Sequence, residues 1–247
     1  MIKFWQRWAI IPCLGVALAC APCFLAHAEQ IPFFLPFPKI DLSHWVLSDG
    51  WVNGDHQSCE WRASAITGVD GKIQMLLSDH GGQRRPLGCA EMHTKETMSY
   101  GLYQARMRTA AGSGLNTAFF TFVGPPMGVP EHDEIDFEFL GKDPNTVSIT
   151  HYTNGKPNKG AVVQLGFDAS KDFHNYGIEW SPHKIRWFVD DKMVYETPAD
   201  AAIPRNATHI FLSLWSGSDV EKYWLGPFTY DGPVSAEIEW VKFTPSP

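Results

Sequence analysis

Glu134-Ile135-Asp136-Phe137-Glu138-Phe139 alternates acidic and apolar residues over six positions. A β-strand sends successive side chains to opposite faces, so this run has two unlike sides. Ile135, Phe137 and Phe139 belong against a core, while Glu134, Asp136 and Glu138 line up on the other face. Like charges on one strand face repel, and Asp and Glu are poor strand formers. A fold that keeps such a row has a use for it.

Outward from this strand, short runs alternate with Gly, Pro, Asn and Asp turns. Residues 72–77, 101–108, 118–123, 134–140 and 147–152 read as strands, followed by 176–180, 185–189, 193–197, 210–215 and 236–243. Asp190-Asp191-Lys192 reads as a tight hairpin between two of them. No window of 12 or more residues carries a 3.6-residue period, and there is no long linker, repeat or low-complexity tract. Many strands without a long helix predict an all-β sandwich of two sheets. A chain of 247 residues, 44% apolar, supports one sizeable core. Its 10 Trp, 16 Phe and 7 Tyr suit both a large β core and a cleft where sugar faces stack on rings.

Residues 1–28 have the layout of an export signal: Lys3 and Arg7, an apolar stretch from Ala9 to Leu25, then Ala26-His27-Ala28 as a cleavage site. Pro12 and Pro22 interrupt the stretch, which argues against a permanent membrane helix. A lipoprotein signal at Cys20 or Cys23 lacks its upstream leucine. Cleavage leaves two cysteines, Cys59 and Cys89, in an oxidising compartment, where a disulfide is expected. It also leaves 18 basic against 27 acidic residues, a net −9. Such a surface argues against nucleic acid or anionic membranes as partners. The protein is expected to be secreted or periplasmic, monomeric and free of the membrane once cleaved.

Three carboxyls on one strand face suit the cleavage of a glycosidic bond. That reaction needs one acid to protonate the leaving oxygen and a second carboxylate to attack or to activate water. Residues four apart on a strand have α-carbons about 13 Å apart at about 3.3 Å per residue. Two glutamates on a concave sheet reach across that distance to either the retaining or the inverting separation, so spacing alone leaves the stereochemistry open. Asp136, between them, separates their proton affinities by its charge or a shared proton. The same pattern also suits an acidic solvent face, or a metal site drawing on His132 and Asp133, although no His or Cys cluster elsewhere supports a metal.

Residues 134–143, Glu-Ile-Asp-Phe-Glu-Phe-Leu-Gly-Lys-Asp, resemble the signature of glycoside hydrolase family 16, in its bacterial lichenase-like branch. Further segments match in order, among them Asp49-Gly50-Trp51-Val52-Asn53-Gly54, Cys89-Ala90-Glu91, Tyr152-Thr153-Asn154-Gly155, Leu214-Trp215-Ser216-Gly217 and Trp224-Leu225-Gly226. The resemblance implies a lectin-like β-jelly-roll spanning residues 45–247 behind an extended segment at 29–44. It implies a concave cleft and endo-cleavage of β-glucan with retention. By position Glu134 is the nucleophile, Glu138 the acid/base and Asp136 the assisting carboxylate. Trp215, Trp224, Phe122 and Tyr152 match cleft aromatics, and Asn53 and Glu91 match groups that hold sugar hydroxyls. Alternation of Trp215 with Ile210, Leu212 and Leu214 places it on the cleft face. Cys59 matches the usual partner of Cys89.

The chain departs from lichenases at several lining positions. His93 stands where they carry Arg, His132 where they carry Trp, and Thr150 and Ser213 where they carry Asn. The pattern resembles the branch that trims acidic exopolysaccharides such as succinoglycan, so the expected substrate is a β-glucan or an acidic exopolysaccharide. No cofactor is expected. Glu239 stands where the family has the aspartate of a structural calcium site, which argues against that ion. Asn206-Ala207-Thr208 fits a glycosylation acceptor. Two alternatives use the same sandwich: a non-catalytic carbohydrate-binding module and a transglycosylase. Lectin relatives generally lose one of the two glutamates, and both are present here.

Overall fold

A computed structural model of the chain describes residues 32–36, 40–124 and 129–246. The export segment at 1–28 lies outside them. The described residues form strands and two short 3₁₀ turns, Ala63–Ala65 and Asp219–Glu221, with no α-helix among them. In chain order the strands are β1 (Phe33–Pro36), β2 (Trp45–Leu47), β3 (Cys59–Trp61), β4 (Ile66–Val69), β5 (Lys72–Leu77) and β6 (Leu87–Thr94). Next come β7 (Gly101–Arg108), β8 (Leu115–Val123), β9 (Asp133–Leu140), β10 (Thr146–Thr153), β11 (Lys156–Pro157) and β12 (Ala161–Gln164). The last are β13 (His174–Trp180), β14 (Ile185–Val189), β15 (Lys192–Glu196), β16 (His209–Ser216) and β17 (Val234–Pro245).

These strands make two sheets. One runs β15-β14-β13-β7-β17-β5-β4, with β1 also paired to β17. The other runs β11-β10-β9-β8-β16-β6-β2, with β12 on β10 and β3 on β6. Neighbours are antiparallel apart from the parallel pair β3–β6. The sheets meet through inward side chains of alternating strands: Phe137 and Phe139 of β9 pack against Tyr176 of β13, with ring centroids 5.6 and 4.6 Å apart. Trp187 of β14 crosses the sandwich and donates its indole N–H to the Asp136 carbonyl at 2.9 Å. An unpaired buried carbonyl is costly, so this bond ties the acidic strand to the opposite sheet.

The β14–β15 hairpin turns through Asp190 and Asp191, both with positive φ (46° and 62°), the backbone of a two-residue primed turn. The extended segment read at the N-terminus supplies a strand: Phe33 pairs with Phe243 and Pro36 with Trp240. The expected disulfide forms between Cys59 and Cys89, 30 residues apart, and locks β3 to β6. Strand β6 escaped the reading of the sequence. It is buried along both faces, so it lacks the polar–apolar alternation that marks a half-exposed strand.

Candidate active site

The outer face of the nine-stranded sheet carries a groove of about 740 Å³. Register fixes its floor. Glu134 sits between Tyr152 and Phe122, Asp136 between Thr150 and Phe120, and Glu138 between Ser148 and Ala118. One strand further, Phe211 lies beside Phe120 and Ser213 beside Ala118, and these are paired in turn with His93 and Glu91 of β6. All three acids line the groove, as do Asn53, Glu91, His93, Phe122, His132, Tyr152, Trp215 and Trp224. The eleven residues singled out in the sequence thus converge on one depression. Trp215 and Trp224 stand with ring centroids 6.2 Å apart at one end, with His56 edge-on to Trp215.

The three carboxyls differ in their surroundings. Burial, with the charges of Glu134 and Glu138, raises Asp136 well above the usual carboxylate range, and it is 3% exposed. Burial is the larger influence on Glu138 too, raising it to about 7 against a hydrogen bond that Asn116 Nδ2 donates to Oε1 at 3.0 Å. Burial and the neighbouring carboxylates thus favour the protonated form of the aspartic acid, and Glu138 is poised between its two forms near neutral pH. Glu134 accepts a hydrogen bond at its Oε2 from His132 Nε2, at 2.6 Å. Glu91, 5% exposed, is also pushed up to about 7 by burial, with Ser48 Oγ donating to Oε1 at 2.6 Å.

Asp133, on which a metal site would draw, already has its partners. Its carboxylate accepts backbone N–H groups of Asn154 (2.9 Å), Arg205 (2.8 Å) and Asn206 (2.9 Å), plus Asn206 Nδ2 at 3.0 Å. Four donors satisfy it, and it serves as a structural node. Among the described residues no group of three His, Cys, Asp or Glu is placed to hold a metal ion. Glu239, at the position of the family's calcium-site aspartate, accepts a hydrogen bond from Arg106, Nε to Oε2 at 2.6 Å. His132 borders the groove but is 0% exposed, with its Nε2 turned to Glu134 Oε2.

Several lining residues had no signal in the sequence that separates them from core packing, among them Phe120, Phe211 and Ser48. The role of Asn116 had no signal in the sequence either, because its partner Glu138 is brought to it by strand register.

The profile of "Glycosyl hydrolases family 16" matches residues 53–242. The chain belongs to that family. An endo-1,3-1,4-beta-glycanase, ExoK, of Rhizobium meliloti (strain 1021) is 39% identical over 208 residues, covering 84% of this chain and 77% of that protein. A beta-glucanase of Bacillus subtilis (strain 168) is 37% identical over 213 residues, 86% of each. Among solved structures, a prokaryotic beta-1,3-1,4-glucanase (lichenase) from a mouse hindgut metagenome superposes with a TM-score of 0.82 at 38% identity, covering 88% of this chain and all of that one. The beta-glucanase of Bacillus licheniformis gives 0.81 at 34% identity, covering 89% and 100%. The sandwich is therefore the family 16 jelly roll, and the protein is a glycoside hydrolase.

Proposed function

We propose that this family 16 enzyme is an exported, retaining endo-β-glucanase that cuts the backbone of β-1,3-1,4-linked glucan or of an acidic, succinoglycan-type exopolysaccharide. The observation that carries it is the row Glu134, Asp136 and Glu138 on one strand face in the groove, with Glu138 held near neutrality as an acid. Glu134 attacks the anomeric carbon while protonated Glu138 gives its proton to the leaving oxygen. Glu138 then takes a proton from water, whose oxygen displaces Glu134. Asp136, whose carboxyl is pushed toward its protonated form, limits the negative charge beside the nucleophile. Trp215 and Trp224 stack on sugar rings, and Asn53 and Glu91 hold hydroxyls. The chemistry needs two carboxyls and water, so no cofactor enters it, and the enzyme works as a monomer.

The substrate reading rests on relatives named for 1,3-1,4-β-glucan and on His93, Thr150 and Ser213, which replace bulkier or amide-bearing lining groups. The test is incubation of the mature protein with mixed-linkage β-glucan and with succinoglycan, following reducing ends and product size. Release of mid-sized fragments from either polymer, with the β-anomer appearing first by proton NMR, is the expected result. No cleavage of any β-glucan, or an α-anomer as first product, overturns the reading.

A further inference from the structure

His132 makes the shortest polar contact to the proposed nucleophile. Its Nε2 lies 2.6 Å from Glu134 Oε2, and the residue is fully buried, so it does not meet a sugar in the groove. The imidazole is held on both sides. It stacks on Tyr152 with centroids 5.0 Å apart and planes 23° from parallel, and lies 5.3 Å from the Phe122 ring. Its main chain is fixed as well: the His132 N–H donates to the Val129 carbonyl at 3.1 Å, and Gly155 N–H donates to the His132 carbonyl at 2.7 Å. Gly155 belongs to the Asn154-Gly155 turn, whose positive φ values (52° and 74°) suit these two residue types. That turn is itself anchored to Asp133.

The tautomer follows from the other ring nitrogen. His132 Nδ1 is buried with no hydrogen-bond partner among the described residues. A proton there would be an unsatisfied buried donor, so the ring carries its hydrogen on Nε2 and donates it to Glu134. The Nε2–H then supplies one strong, directed hydrogen bond to the nucleophile.

We propose that His132 is a positioning residue: its Nε2–H fixes the plane of the Glu134 carboxylate and eases departure of that carboxylate from the glycosyl-enzyme. The proposal rests on the double-displacement reading above. In the first step Glu134 Oε1 bonds to the anomeric carbon, the glycosidic bond breaks, and the leaving oxygen takes the Glu138 proton. Oε2 becomes the ester carbonyl. In the second step water bonds to the anomeric carbon, its proton passes to Glu138, and the ester C–O electron pair returns to Glu134. Negative charge grows on Glu134 only in that second step. A donor already aimed at Oε2 therefore helps deglycosylation more than glycosylation.

The test compares wild type, H132F and H132Q on mixed-linkage β-glucan and on a dinitrophenyl β-oligoglucoside, whose good leaving group makes the second step limiting. Phe keeps a flat ring between Tyr152 and Phe122 but has no N–H, and Gln restores one. For H132F, kcat on the aryl substrate is expected to fall about 10–100-fold. KM should fall with it, and the pre-steady-state burst of dinitrophenol should keep its wild-type rate while only the steady-state phase slows. H132Q should recover most of the loss. A merely structural role would slow the burst as well as the steady state and would not be rescued, and that outcome overturns the proposal, as does wild-type kcat in H132F. A measurement that needs no His132 variant is NMR of the wild-type imidazole. Its Nε2–H resonance should be present, far downfield, and should move in E134Q, whereas a hydrogen found on Nδ1 overturns the assignment. Failure of wild type to cleave either substrate sinks the hydrolase reading and this proposal with it. Cleavage with H132F indistinguishable from wild type sinks this proposal alone.

Discussion

Two strands of this molecule carry acids on alternate positions, and they behave in opposite ways. In β9, Glu134, Asp136 and Glu138 face the groove. In β17, Glu237 and Glu239 stand two apart on the opposite sheet. The β17 acids are neutralised: Glu237 lies 3.0 Å from Arg108 and 3.5 Å from Lys72, and Glu239 is 2.6 Å from Arg106. The β9 acids have no Lys or Arg within ion-pair distance among the described residues. At the far edge of the β17 sheet, Arg186 and Lys184 likewise hold Glu196 below the usual carboxylate range, while burial raises Glu138 and Asp136 above it. An unpaired row kept in a buried setting marks chemistry, and a paired row marks an ordinary protein surface.

The largest expected contrast is in rate. E134Q or E138Q is predicted to lower reducing-end release by about 10³-fold or more, since the pair acts as a unit. E237Q or E239Q should leave kcat within about twofold, because these acids are remote from the groove. A large rate loss in a β17 variant breaks the comparison.

A smaller effect concerns stability against pH. Glu138 is raised from 4.5 to about 7, so the folded state keeps a proton that the unfolded chain has released. Its contribution is complete below about pH 4.5 and is lost as pH rises through about 7, so stability declines across that window. E138Q should be more stable than wild type at pH 8 by about 3 kcal/mol, with the gap closing toward pH 4.5. Calorimetry at the two pH values checks it. Glu196, lowered by its cations, has the opposite sign: its contribution is lost as pH falls. Equal melting curves for wild type and E138Q at pH 8 would remove the energetic half of the contrast.

The smallest effect is expected at the paired surface. R106A should cost no more than about 1 kcal/mol in a urea titration, since partly exposed ion pairs contribute little. Activity should stay at the wild-type level.

Much of this contrast was legible early, and the reasons are physical. Half-exposed strands such as β5, β7 and β14 alternate polar and apolar residues, so their bounds read directly from the chain. Strand β6 is buried on both faces and gave no such rhythm, although it carries Cys89, Glu91 and His93. The catalytic row was visible because acid–apolar alternation is rare. What separates it from Glu237 and Glu239 is which cations lie across the sheet, and register alone decides that. The environment of His132 was hidden for the same reason. Its partners Tyr152 and Phe122 come from two other strands, and its burial depends on a turn at Asn154-Gly155.

Asp133 gathers amide hydrogens from two separate loops onto one carboxylate, immediately before Glu134 in the chain. Anyone recasting residues 201–208 to suit another polymer inherits a boundary condition. The replacement segment has to return two N–H groups to the same oxygen, or altered selectivity will arrive together with a displaced reacting centre.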